Sequence, residues 1–255
     1  MNRILAIATP VVFIALSLLV WEIACRQFAI PAYRLPAPSA VWTTLVANLP
    51  LLLGSAWQTL KTALEALVIA SLLAMSLALL GGASATIERA LKPLAVAAQV
   101  TPVIAIAPLL QIWAGLEHPE RAVIALAVIV AFFPIYSGAV SGLKSADPDL
   151  ERLFDTYGAT PGQKLIRLRA PSAVPFLLQG HKVAAGLALI GAVVAEFAAG
   201  SGGAQGLAWR MVEAGNHLQT DKVFAGLLIM SLMGAGLYAV FELVQRQVLA
   251  WWGGR

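Results

Sequence analysis

Long apolar runs alternate with short polar connections along this chain. Six runs, near 4–24, 56–81, 91–114, 121–143, 174–198 and 222–248, are long enough as helices to cross a hydrocarbon core of about 30 Å, which takes about 20 residues. Pro102, Pro108 and Pro134 lie inside the third and fourth runs and predict kinks or broken turns there. The polar stretch Asp147 to Pro175 separates the fourth and fifth runs and reads as two short helices joined at a tight corner. Asp147 caps the first, with Pro148 at its first helical position. Leu150, Leu153, Phe154 and Tyr157 then share one face. Gly158 sits where a helix commonly ends in a left-handed residue. Thr160 caps the second helix, Pro161 opens it, Gln163 bonds back in a capping box, and Pro171, lacking an N–H, stops regular pairing. Spacing alone allows two uses of that apolar face: folding back on its own bundle, or docking into a groove on a partner.

Composition narrows the class. The 255 residues are 60% hydrophobic and 12% charged, about half the charge of a soluble domain. The expectation is a single all-α polytopic membrane domain over 1–255. With the Asp147–Pro175 stretch and the N-terminus inside, eleven Lys and Arg fall on the inner side and six on the outer, which accounts for all seventeen. The positive-inside rule then puts both termini inside, and the net charge of +4 argues for no nucleic acid. Cys25 is the only cysteine, so no intrachain disulfide can form, and Glu22 stands where a lipoprotein signal needs an aliphatic residue. The run Ile4–Ile23 exceeds a signal-peptide core of about 7–15 residues and reads as the first span. In the outer segment 25–55, four prolines forbid one long helix. A short interfacial helix is expected over Ser39–Leu53, anchored by Trp42. The other long outer loop, Gly200 to Asp221, begins with bendable Gly-rich backbone.

Chemistry of other kinds is sparse. No lysine follows a glycine, so the chain has no Gly-Lys-Ser/Thr phosphate loop. His-Glu-x-x-His, Cys-x-x-Cys and Gly-x-Ser-x-Gly are absent, and His118, His181 and His217 lack zinc-ligand spacing. The glycines Gly200, Gly202 and Gly206 miss the spacing and the strand context of a dinucleotide site. Lys61 and Glu65 can pair on one helix face, as a structural pair or as a proton or ion relay. Glu196 is either a cap-like acceptor or, with Gly206, part of an outer gate. His181 and Lys182 are explained by snorkelling at the inner end of a span. Gly138 and Gly142 form a Gly-x-x-x-Gly that serves either intrachain packing or a two-fold partner.

Residues 147–171 resemble the EAA loop of ABC importer permeases. Gly158 fits the conserved glycine of that loop, and Leu168, Ala170 and Pro171 fit its Ile-x-Leu-Pro end. Arg152, Leu153 and Phe154 stand where the family has Glu-Ala-Ala, with Glu151 one residue early, about 100° around the helix. Thr101–Gly115, Phe132–Ile135 with Gly142-Leu143 and Asp147-Pro148, and Glu196 with Gly206-Leu207 resemble further family segments. Their order is similar to the nitrate/sulfonate/taurine branch, whose members also move vitamin precursors. The resemblance implies a type I importer fold with about six transmembrane helices, a coupling region at 145–171 and the bacterial inner membrane. It also implies a homodimer, an extracytoplasmic solute-binding protein and two cytoplasmic ATPase subunits that bind ATP and Mg, this chain holding no cofactor or metal. Coupling residues carried over are Leu150, Glu151, Arg152, Leu153, Phe154, Asp155, Tyr157, Gly158, Ala159, Thr160, Pro161, Leu168 and Pro171. Arg152, Asp155, Lys164, Arg167 and Arg169 are expected to set register by charge. The alternative is an ion- or proton-coupled secondary carrier, which needs ionisable groups at mid-membrane and internal repeats.

Overall fold

The structure is a computed structural model that describes residues 2–115, 117–199 and 206–253. Every regular element among them is helical: α1 Asn2–Gln27, α2 Pro38–Ala47, α3 Leu49–Ala83, α4 Ala85–Val100, α5 Val103–Ala114, α6 Pro119–Leu143, α7 Pro148–Thr156, α8 Pro161–Lys164, a π-turn Leu165–Arg169, α9 Ala170–Ala199, α10 Leu207–Asn216 and α11 Thr220–Gly253. Five helical segments are long and apolar enough to cross a membrane, or six if the bent pair α4–α5 counts as one.

That pair is the third apolar run, and it is not one straight helix. Its two halves meet at 102° across Thr101-Pro102. Pro102 forces Thr101 into an extended conformation (φ −69°, ψ 126°). The Thr101 hydroxyl donates to the carbonyl of Ala97, 2.7 Å away, and helps close the end of α4. Pro108 and Pro134 lie within continuous helices. The expected interfacial helix Ser39–Leu53 is also divided: α2 ends at Ala47 and α3 begins at Leu49, with Pro50 in its first turn where a missing N–H costs nothing. The segment read as a Gly-rich loop before Asp221 contains a helix, α10, that its glycines concealed. Residues 200–205, including Gly200, Ser201, Gly202 and Gly203, lie outside the described residues.

The described chain forms two compact units, Met1–Trp57 with Gln205–Leu232, and Gln58–Ala204 with Met233–Arg255. In the first, Glu22 near the end of α1 caps α2. It accepts from the Ser39 backbone N–H (3.0 Å) and hydroxyl (2.8 Å) while paired with Arg26. Trp21 packs on Phe224 at 5.5 Å between ring centres, and the Thr44 hydroxyl donates to Asp221 at 2.6 Å. In the second unit the core is built of small side chains. Ala63, Ala66, Ala70, Ala74 and Ala78 of α3 lie buried with Ala127, Ala131 and Ala139 of α6 and Ala184, Ala185, Ala188 and Ala192 of α9. Large apolar side chains such as Leu72 and Ile104 point outward, the reverse of a soluble protein and the expectation for a lipid solvent.

α6 and α9 touch backbone to backbone. A Cβ on Gly138 would lie 2.8 Å from the Phe176 carbonyl oxygen, one on Gly142 2.8 Å from Ala173, and one on Gly180 2.7 Å from the Pro134 carbonyl oxygen. The Gly138/Gly142 pair is therefore spent on intrachain packing. Gly142→Ala is expected to lower the unfolding free energy of the detergent-solubilised protein by about 1–3 kcal/mol, as overpacking does. Gly186→Ala, whose new methyl meets nothing within 4 Å, should leave it unchanged or raise it by up to about 1 kcal/mol. Thermal unfolding of the two variants side by side checks the contrast.

Candidate coupling site

The corner at 147–171 forms as its capping residues dictate. The Asp147 carboxylate accepts from the Asp149 N–H at 2.8 Å, Pro148 opens α7, and Asp149 and Glu151 place negative charge on its first turn. At the other end, the Gly158 N–H donates to Asp155 (2.9 Å) and the Ala159 N–H to Phe154 (2.9 Å). These are the two bonds of a Schellman ending, and Gly158 takes the φ of +67° it requires. The Thr160 hydroxyl accepts from Gln163 N–H (3.3 Å) and the Gln163 side chain accepts from Thr160 N–H (2.8 Å).

Pro171 does not end the second helix. α8, the π-turn and α9 run on as one continuous span, Pro161–Ala198. The π-turn lies immediately before the proline, and the Ala170 N–H reaches back to Leu165. Widening the helix there relieves the clash of the ring with the preceding turn and accommodates the missing donor. The corner is thus one short helix joined to a shaft, not two short helices.

Two ion pairs tie α7 to that shaft. Arg169 holds Glu151 through two hydrogen bonds, 2.7 Å and 3.2 Å, and Lys164 pairs with Asp155. Arg169 beside it draws the Glu151 carboxyl below the ordinary glutamate range. Four of the groups expected to meet a partner by charge or position are therefore occupied within the chain. Arg152 pairs with Asp149 on the surface, and Arg167 is exposed. Leu168, also expected on the outer surface, is buried. What stays open is the apolar stripe of α7. Leu150 and Leu153 are 45% and 47% exposed, Tyr157 is 82% exposed, Phe154 is half-buried, and α7 buries no residue at all. An apolar face left open on a braced surface element is suited to contact with a partner.

Other charges find partners. Glu196, near the end of α9, is buried and accepts from the Thr59 hydroxyl of α3 at 2.8 Å. Gly206 is the residue that caps α10, with extended backbone. Lys61 and Glu65 lie 3.8 Å apart and both are well exposed, as a surface pair. Lys182 does more than snorkel: it pairs with Glu242 of α11 and lies 4.5 Å from the Tyr238 ring centre. Sequence spacing could not foresee that contact, since 60 residues separate the partners.

Long apolar helices packed through small residues, with a capped and braced corner between two of them, describe a polytopic helical membrane protein. Residues 66–250 match the family described as the binding-protein-dependent transport system inner membrane component. The chain belongs to that family, the permease subunits of ABC importers. It is 34% identical over 252 residues to the formylaminopyrimidine transport permease protein ThiX of Halalkalibacterium halodurans, covering 98% of each chain. It is 31% identical over 229 residues to a probable ABC transporter permease protein of Haemophilus influenzae, covering 90% of this chain and 91% of that one. With the taurine transport system permease protein TauC of Escherichia coli it shares 28% over 240 residues, 91% of this chain and 85% of that one. Among solved structures, the inward-facing MetNI methionine ABC transporter shares the fold, with a TM-score of 0.66 at 18% identity over 78% of this chain and 97% of that one.

The Glu151–Arg169 brace carries a pH dependence of definite sign. Glu151 has a lowered pKa in the fold, so the brace contributes fully above the unfolded glutamate value of about 4.3 and is lost as pH falls through the lower folded value. Both side chains are about a third exposed, which limits the pair to about 1 kcal/mol. Limited proteolysis of residues 147–160 should accelerate in Glu151→Gln at pH 7 by up to about fivefold, and in the wild type only below about pH 4.

Proposed function

We propose that this permease couples to a separate cytoplasmic ATPase through α7. Leu150, Leu153, Phe154 and Tyr157 seat in the ATPase surface, with Arg152, Ala159, Thr160 and Pro161 at the rim. Glu151, Asp155, Gly158, Leu168 and Pro171 act from behind, holding the corner to its shaft. Two copies of the chain with two ATPases and an extracytoplasmic solute-binding protein make the working importer, in the bacterial cytoplasmic membrane with both termini inside. ATP and Mg are bound by the ATPase chains. Glu196 and Gly206 belong to an outer gate. The solute is a small anion of the sulfonate, taurine or nitrate type, or a vitamin precursor of the kind named for ThiX.

The observation that carries this reading is the unburied apolar stripe of α7 on an element capped at both ends and braced by two ion pairs. Because α8, the π-turn and α9 are continuous, a push on α7 is delivered to the helix packed most closely against α6. No buried, mid-membrane ionisable relay of the kind an ion-coupled carrier needs is present at Lys61 and Glu65.

Leu153→Asp should abolish co-purification of the ATPase while leaving the unfolding free energy of the permease within about 0.5 kcal/mol, as for an exposed position. Retention of the ATPase would place the contact elsewhere. In the reconstituted importer, Gly158→Val puts a β-branched residue at φ +67°. ATP hydrolysis should continue while solute uptake falls by at least about tenfold, the scale of a 1.4 kcal/mol loss. Normal uptake would show that the left-handed corner is not part of the coupling.

A further inference from the structure

α9 is covered on three sides and open on the fourth. α6 packs against Gly180 and Gly191. α3 shares a buried core with Ala184, Ala188 and Ala192. α11 closes a third side, where Leu189 lies 3.5 Å from the Cβ position of Gly234. Phe176, Gln179, Val183, Gly186 and Ile190 stay exposed, and their spacing of three and four residues puts them on one stripe. A Cβ on Gly186 would meet nothing within 4 Å.

This open side is polar at the depth where lipid demands apolar groups. Gly180 stands against Pro134 and Gly191 against Ala127, which puts Lys182 level with the middle of α6. There Lys182 pairs with Glu242 beside the Tyr238 ring. Glu242 also accepts from Arg246 at 2.7 Å, so two cations share one carboxylate and one positive charge is left over. One turn nearer the coupling corner, the Gln245 amide donates to Gln179 at 3.3 Å. Tyr238 is 56% exposed, and Gln179 and Arg246 are exposed with it. The outer side of α3 is the contrast. Gly82 stands against Leu143 and Thr59 against Glu196, so Leu72 lies at the same height as Lys182. The exposed residues around it, Val68, Ile69 and Leu73, are all apolar, as a lipid contact requires. An amide, a phenol and an uncancelled charge at mid-span are costly in hydrocarbon and belong beside protein or water.

We propose that the open face of α9, from the coupling corner up to Lys182, borders a water-filled passage. Its occupant is water and the polar solute in transit, not lipid. The proposal rests on the importer reading and gives the route across the membrane a wall: Gln179, Val183 and Gly186, edged by Lys182, Glu242 and Tyr238. The wall stands on the same continuous helix that begins at the corner, Pro161–Ala198, so a displacement of that corner is a displacement of the passage lining.

The test uses the chain's single cysteine, which is buried and is removed as Cys25→Ser. Gln179→Cys, Val183→Cys and, as the lipid-facing control, Leu72→Cys are each placed in the full-length chain. Membranes of cells that express the importer are broken open so that reagent reaches both sides, and are labelled with 2-trimethylammonioethyl methanethiosulfonate, which hydrocarbon excludes. Only a thiolate reacts, and a thiol held in hydrocarbon stays protonated. Gln179→Cys and Val183→Cys should therefore label at least about tenfold faster than Leu72→Cys, the change in thiolate fraction made by one unit of pKa. Val183→Cys gives up no side-chain hydrogen bond, so it decides the matter if Gln179→Cys folds poorly. A rate at Val183→Cys no faster than at Leu72→Cys overturns the proposal and gives the face to lipid. Slow labelling combined with a disulfide between two copies at that position also overturns it, by giving the face to a second copy. The readout is taken without ATP. A dry face therefore leaves ATP-driven import standing, and a failure of ATP-driven uptake leaves the labelling result intact.

Discussion

The close contact of α6 with α9 is the constraint on which the second unit depends. In lipid there is no gain from hiding apolar side chains, because the solvent is itself apolar. Helices hold together only where backbones come near enough for dispersion and weak Cα–H···O contacts to add up. Gly138, Gly142, Gly180 and Gly191 provide that nearness, each so close to the facing helix that a methyl group would collide. The alanines of α3, α6 and α9 extend the same principle through the core. Bulk is sent outward, where leucines and isoleucines meet lipid.

The corner at 147–160 is continuous with that packed pair through the helix that starts at Pro161. α9 begins, in effect, at Pro161, because a π-turn carries the helix past Pro171. α7 is fixed to this extended shaft by Glu151–Arg169 and Asp155–Lys164. Four charged residues of the corner are therefore paired within it, while the apolar Leu150, Leu153 and Tyr157 stay exposed. The division is physically reasonable. Exposed ion pairs contribute little affinity by themselves, whereas a rigid apolar ridge loses little entropy on docking.

Charge within the spans follows a similar economy. Glu196 is matched by Thr59, Lys182 by Glu242, and Glu88 by Lys144. Each partner comes from a different helix, so these pairs fix helices to one another as well as satisfying themselves.

The sequence by itself determined the class and the local grammar. Apolar run lengths announced a helical membrane protein, and Asp147, Pro148, Gly158, Thr160, Pro161 and Gln163 specified the caps and the corner, because capping is decided within four or five residues. It also showed the family, through the order of short motifs. The sequence misread what depends on neighbours in space. Pro171 looks like a stop, yet a π-turn immediately before it absorbs it, with Leu168 buried. Pro102 and Pro108 look alike, but one turns the chain through 102° and the other leaves its helix continuous. Glu151 and Arg169 look like surface charges until the corner folds and brings residues 18 apart within 2.7 Å. Only the tertiary structure could decide these, since a charge or a proline carries no mark of which distant backbone or side chain will stand opposite it.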